Sequence, residues 1–308
     1  MANPKIEGLI TPPFTPLHEN GEINLDVIPK YVDYLVQGGS QGVFVNGTSG
    51  ECLLFSVDER KKLAESWINA AKDKLKYVII QVGAESIKDT QELARHAQDI
   101  GAHSIAVLPP SYYKAGSPDA LADYLQEVYK AAPRMPIMYY HIPFLTNINF
   151  PLEDILLAAQ EKVPTLIGAK FSHNDLADMG RSLTLSQGKY QVSYGGDGMI
   201  LGALAMGAVS CIGVCFNLAG KTASAVLNAF NKGDLKIARK HQNHLQALMK
   251  VISDNAGKSV FPLATLKAVM NMKGVNVGSP RLPLVPLKQK ELDKLKGDLQ
   301  NIEFFEWS

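Results

Sequence analysis

Three short runs in this chain carry side chains suited to chemistry: Gly47-Thr48-Ser49-Gly50-Glu51, Tyr139-Tyr140-His141-Ile142-Pro143 and Gly168-Ala169-Lys170. The first is small and glycine-rich and enters a helical pattern. Successive backbone N–H groups with two hydroxyls suit a carboxylate or a phosphate, although an ordinary turn between strand and helix uses the same residue types. The second run brings two phenols and an imidazole to one strand end. Alternation sends the tyrosines to opposite faces, so only one of them can serve a common site. The third closes an apolar strand on an amine. A lysine in water has a pKa of about 10.4 and is a poor nucleophile at neutral pH, whereas desolvation disfavours the ammonium and frees an amine able to form a Schiff base with a ketone. The other reading is a lysine that snorkels to solvent or pairs with a carboxylate. Brought together, loop, phenol and amine would supply anion recognition, proton transfer and covalent capture.

The rest of the sequence has to bring those runs to one place. Eight strand-like runs, KIEGLIT, GVFVN, YVIIQVG, SIAVLP, PIMYYHIP, TLIGAKFS, YQVSYGG and VSCIGV, alternate with amphipathic helical patterns. That rhythm signals parallel βα units. Ser86 and Ser117 each stand before a helical pattern with an early acidic residue, as N-caps do. An open dinucleotide-binding sheet would carry a Gly-x-Gly-x-x-Gly turn after its first strand, and the chain has none there. The expected fold is therefore α/β, a closed (β/α)8 TIM barrel over residues 1–233, with a C-terminal helical extension over 234–308. Such barrels hold their chemistry at the C-terminal ends of the strands, where all three runs end.

Composition bounds the partners. The chain has 308 residues, 46% hydrophobic, with a formal net charge of +1. No broad field exists to steer nucleic acid or a membrane surface, which leaves a small molecule as the expected partner. The start, MANPKIEGLITPPF, lacks a long apolar core, and no window approaches a membrane span, so a cytoplasmic protein is expected. Cys52, Cys211 and Cys215 have no CxxC spacing and read as free thiols. His241 and His244 share a helix face without the HExxH pattern, and read as surface histidines; no metal site is expected.

The GTSGE run, the Y-x-I-P element at Tyr140 to Pro143 and Gly168-Ala169-Lys170, with FVNGT before the loop and the late GSPRLPL, resemble the N-acetylneuraminate lyase and dihydrodipicolinate synthase family of class I aldolases over nearly the whole chain. The resemblance implies that Lys170 forms an imine with the keto carbon of a sugar acid and that Tyr140 shuttles the proton. It also implies that Thr48 and Ser49 bind the pyruvate-derived carboxylate. Cleavage of N-acetylneuraminate to N-acetylmannosamine and pyruvate would follow, with no cofactor beyond the covalent imine, in a homotetramer. An aldolase for another 2-keto-3-deoxy sugar acid, or a barrel that binds an oxo acid without turning it over, are the alternatives.

Details of the resemblance bear on the substrate. The synthases place an arginine shortly after the Y-x-x-P element, where this chain reads Phe144-Leu145-Thr146-Asn147; a neutral, hydroxyl-rich aldehyde is favoured. Ser172 fills the hydroxyl position that follows the lysine in sialic acid lyases. Gly195, Asp197 and Gly198 fall in the segment that holds the polyhydroxyl tail, but Gly198 stands where the family has a glutamate, and Val214 where it has a hydroxyl. Weaker tail binding, or tolerance of altered tails, is the expected consequence. Tyr112 and Tyr113 follow the fourth strand, where relatives place an aromatic residue near the site, sometimes from a neighbouring subunit.

Overall fold

The computed structural model describes residues 5–308; the first four residues, part of the MANPKIEGLITPPF run and of the 1–233 unit, lie outside them. Eight parallel strands close into a barrel in sequence order: β1 (Gly8–Thr11), β2 (Gly42–Val45), β3 (Tyr77–Gln81), β4 (Ser104–Val107), β5 (Ile137–His141), β6 (Leu166–Phe171), β7 (Gln191–Tyr194) and β8 (Ser210–Ile212). Closure leaves no edge strand, and β8 pairs back onto β1. The strands are buried on both faces, which is why they read as continuous apolar runs.

Two packed layers follow from strand alternation. Ile10, Phe44, Ile79, Ala106, Met138, Tyr140, Ile167 and Ile212 fill the interior. Their neighbours, such as Val43, Val45, Tyr139, Ala169 and Phe171, pack outward against the helices. The helices begin as their sequences direct: Ser86 and Ser117 accept from the backbone N–H groups of Asp89 and Ala120, and Ser56 forms a reciprocal capping box with Glu59.

One strand breaks the alternation, and it is the one bearing the lysine. Along β5 and β6, Ile137 lies opposite Leu166 while Met138 lies opposite Gly168, so Ile167 is an extra residue in the ladder. Ile167 points inward; unbroken alternation would then turn Ala169 inward and Lys170 out. The bulge reverses the parity, sending Ala169 outward and Lys170 into the barrel. Gly168 is the residue that allows it. Its φ is +143, and a Cβ there would sit 1.8 Å from the Gln191 carbonyl oxygen.

Residues 234–308 lie against the barrel as helices Leu235–Asp254, Leu263–Met272 and Gln289–Asn301. Gln242 sits on the buried stripe of the first. Its amide donates to the Asp197 carbonyl and accepts from the Leu201 N–H, while Gln246 donates to the Gly198 carbonyl. The extension thus holds the segment that follows β7.

Candidate active site

Lys170, Tyr140, Thr48, Ser49, Ser172, Gly195 and Asp197 line one cavity of about 340 Å³ at the C-terminal mouth of the barrel. Gly198 does not line it; its carbonyl is turned to Gln246 and there is open space beside its Cα. Tyr112 and Tyr113 stand outside the cavity, 79% and 85% exposed. His141 faces the other way from Tyr140. It stacks on Phe171 in the helix-facing layer, at 5.1 Å between ring centres, and burial pushes its pKa down to about 3. His241 and His244 are half-buried, the latter stacked on Trp307, and lie away from the cavity.

The Lys170 amine is 4.0 Å from the centre of the Phe44 ring and 4.1 Å from that of Tyr140. No ion pair or hydrogen bond reaches it among the described residues, and the side chain is buried. Desolvation lowers its pKa to about 7 against the opposing pull of Asp197 and Cys52. Burial outweighs both charges. Buried, and with no carboxylate within ion-pair reach among the described residues, this lysine has not taken the snorkelling or carboxylate-paired arrangement.

Tyr140 lies opposite Lys170 on the neighbouring strand. Its hydroxyl is 3.1 Å from Thr48 Oγ1. Burial raises the phenol well above its ordinary pKa, opposed by the Thr48 hydroxyl and more weakly by Ser172. Asp197, in the turn after β7, accepts from the Cys215 N–H at 2.9 Å. Burial raises its pKa to about 6, against the Cys215 and Val214 N–H groups and the Lys170 charge. Gly213 makes room for this carboxylate, since a Cβ there would meet Asp197 Oδ1 at 2.3 Å.

The loop after β2 coils back on itself. The N–H groups of Gly50 and Cys52 donate to the Gly47 carbonyl, and that of Glu51 to Thr48. Those of Thr48 and Ser49 have no acceptor among the described residues, and both residues line the cavity. Two unpaired donors beside two hydroxyls form an anion cradle.

Sequence reasoning missed the apolar wall of the cavity, which the C-terminal segment supplies through Met249, Val260, Phe261 and Leu266. It also missed a buried ion pair behind the loop, Glu51 with Lys267. A lysine inside the apolar stretch FPLATLKAVM was the available signal. All three cysteines are buried thiols. Among the described residues, no three His, Cys, Asp or Glu side chains gather as a metal site would require, and no helix is long and apolar enough to cross a membrane.

The model of the Dihydrodipicolinate synthetase family matches residues 5–302. Similar proteins include the N-acetylneuraminate lyase of Mus musculus, 41% identical over 97% of this chain and 93% of that protein. That of Gallus gallus is 42% identical over 97% and 96%. Among solved structures, the Proteus mirabilis N-acetylneuraminate lyase superposes with a TM-score of 0.92 at 34% identity, covering 98% of this chain and 100% of that one. A closed barrel with a buried amine at its mouth, matched by the family model over nearly its whole length, places this chain in the dihydrodipicolinate synthetase family.

Proposed function

We propose that the protein is a Schiff-base aldolase that reversibly cleaves N-acetylneuraminate to N-acetylmannosamine and pyruvate. The observation that carries this reading is Lys170: a buried amine without an ion-pair partner among the described residues, its pKa about 7, in one cavity with Tyr140 and the Thr48-Ser49 cradle.

The substrate carboxylate docks on the Thr48 and Ser49 N–H groups and hydroxyls, which presents the keto carbon to the amine. Attack and loss of water give a protonated imine. That cation is an electron sink, so removal of the proton from the fourth-carbon hydroxyl breaks the bond between the third and fourth carbons. The electrons enter an enamine and the aldehyde of N-acetylmannosamine leaves. Protonation of the enamine carbon and hydrolysis of the imine release pyruvate and restore Lys170. Tyr140 is the proton carrier: burial keeps its phenol protonated in the free enzyme, so it takes the hydroxyl proton as it passes its own to the substrate's carboxylate, the end to which its hydrogen bond with Thr48 links it. Asp197 accepts hydrogen bonds from the sugar hydroxyls, and Ser172 donates one to them. The imine itself supplies the electron sink, so the chemistry calls for no further cofactor.

The resemblance to these relatives also leads us to propose a cytoplasmic homotetramer, with Tyr112 and Tyr113 in the surface that assembly would cover. An aldolase for another 2-keto-3-deoxy sugar acid is the second reading. It is favoured by the apolar lining at Val214, Met249, Val260 and Phe261, where a polyhydroxyl tail would find few partners.

Incubation with pyruvate followed by borohydride tests the first step. A pyruvyl adduct on Lys170, absent from a Lys170→Ala protein, is expected in the intact mass. An unmodified wild-type lysine would sink the imine mechanism and leave an oxo-acid-binding barrel. Cleavage rates compared across sugar acids separate the two aldolase readings.

A further inference from the structure

Behind the cradle, and outside the lining of the cavity that holds Lys170, lies a charged assembly that the mechanism above does not use. Glu51 closes the loop with a left-handed backbone, φ 58 and ψ 29, and its carboxylate is buried. One oxygen accepts from Lys267 Nζ at 2.9 Å and the other from the Arg281 backbone N–H at 2.6 Å. Lys267 is fully buried and donates also to the Thr15 and Ser279 carbonyls, at 3.0 and 2.9 Å, which uses all three of its protons. Thr15 in turn donates to the Gly50 carbonyl at 2.7 Å. On the far side of the loop, the Arg281 guanidinium grips both oxygens of Glu59 and the carbonyls of Leu54 and Gly21. Both cations come from the C-terminal segment, and both bond to Glu51 of the loop, Lys267 through its amine and Arg281 through its backbone N–H.

Attachment of that segment does not require these charges. Helix Leu263–Met272 already buries Leu263, Leu266, Val269 and Met270 against the barrel. Burying an ammonium and a carboxylate costs desolvation that a well-packed apolar pair would avoid, so a buried ion pair is weak evidence for a role in stability. What it supplies is direction. A carboxylate with both oxygens committed fixes the Glu51 side chain, and the left-handed turn at Glu51 fixes how Thr48 and Ser49 present their N–H groups.

We propose that Glu51, Lys267 and Arg281 are positioning residues through which the C-terminal segment holds the cradle in register for the substrate carboxylate. This rests on the reading of the site as one that captures an oxo acid. The clamp acts on recognition of the carboxylate, not on the reactivity of Lys170.

The test compares borohydride trapping of pyruvate and of its methyl ester, which keeps the ketone and lacks the charge, at subsaturating concentration. The Lys267→Met/Glu51→Gln double variant removes both charges at nearly constant volume, and Gln can still accept from the Arg281 N–H. It is used beside Lys267→Met, which leaves a buried carboxylate unpaired and is the variant more prone to unfold. For the double variant, trapping of pyruvate is expected to fall about tenfold or more, the effect of misplacing one charge-assisted hydrogen bond, while trapping of the ester stays within about twofold. Equal losses for the two ketones, or no loss for either, would overturn the clamp alone. Failure of the wild-type protein to trap pyruvate at all would overturn the aldolase reading and the clamp with it.

Discussion

The Lys170 amine lies 4.1 Å from the centre of the Tyr140 ring, in a pocket where aromatic faces take the place of a carboxylate. Ring faces stabilise an ammonium modestly, by about 0.5–2 kcal/mol, and here burial outweighs them. The folded-state pKa of about 7 lies below the unfolded value of 10.5, so above pH 7 the unfolded chain binds more protons at this position. Stability contributed by this group therefore rises with pH between those values and is lowest below pH 7. A Lys170→Met protein should melt above the wild type at pH 6, and its advantage should shrink as the pH is raised from 7 towards 10. Thermal melts across that range check it; a constant advantage would mean that the amine is not desolvated.

Gly168 decides which way Lys170 faces. Alanine at this position would have to hold a φ of +143 and place its methyl 1.8 Å from a backbone oxygen of β7. The conformational strain alone costs about 1–3 kcal/mol, and the clash with a backbone atom adds to it. The simplest relief is to lose the bulge, which restores alternation and turns residue 170 away from the cavity. Gly168→Ala is expected to lower the urea midpoint and to abolish pyruvyl trapping on Lys170 even where the protein remains folded. Full trapping with normal stability would remove the bulge from the account.

Much of this was legible in the sequence because strand periodicity, N-cap residues and the order of βα units are local signals. The barrel, the outward fate of one of two adjacent tyrosines and the gathering of all three runs at one end of the barrel follow from them, whereas the inward turn of Lys170 does not. The bulge was hidden, since a glycine in a strand does not announce its φ. So was His141, which shares the strand end but has the wrong parity for the cavity. Least visible were Met249, Val260, Phe261 and Lys267, which reach the site or its loop from a segment about two hundred residues downstream of the loop in sequence. Their placement depends on how the extension packs, and no local pattern encodes that.

Gly198 tests the substrate. A Cβ there meets nothing within 4 Å and the backbone is not left-handed, so Gly198→Glu can be made without strain. If the family's acid at this place accepts a tail hydroxyl, the variant regains a charge-assisted hydrogen bond worth about 1.5–3 kcal/mol. KM for N-acetylneuraminate should then drop by about tenfold, with little change for a sugar acid lacking the tail. Steady-state kinetics on the two substrates decide the matter. An unchanged KM would mean that the tail lies elsewhere, against the wall formed by Met249 and Phe261.

Tyr140→Phe separates capture from cleavage. The ring keeps its place beside Phe44, with centres 5.4 Å apart and planes at 76°, and its face beside the Lys170 amine, so the pocket that lowers the amine's pKa is preserved. What is lost is the hydroxyl that meets Thr48. Imine formation with pyruvate should survive, because attack on the ketone depends on the amine and the cradle. Bond cleavage needs the proton of the fourth-carbon hydroxyl to be carried away, and removing the carrier should cost about 10²–10⁴ in kcat. Borohydride trapping measured beside the rate of N-acetylmannosamine release gives both numbers on one protein. Parallel losses in trapping and cleavage would make Tyr140 part of the capture step, whereas an undiminished kcat would hand the proton to the substrate's own carboxylate.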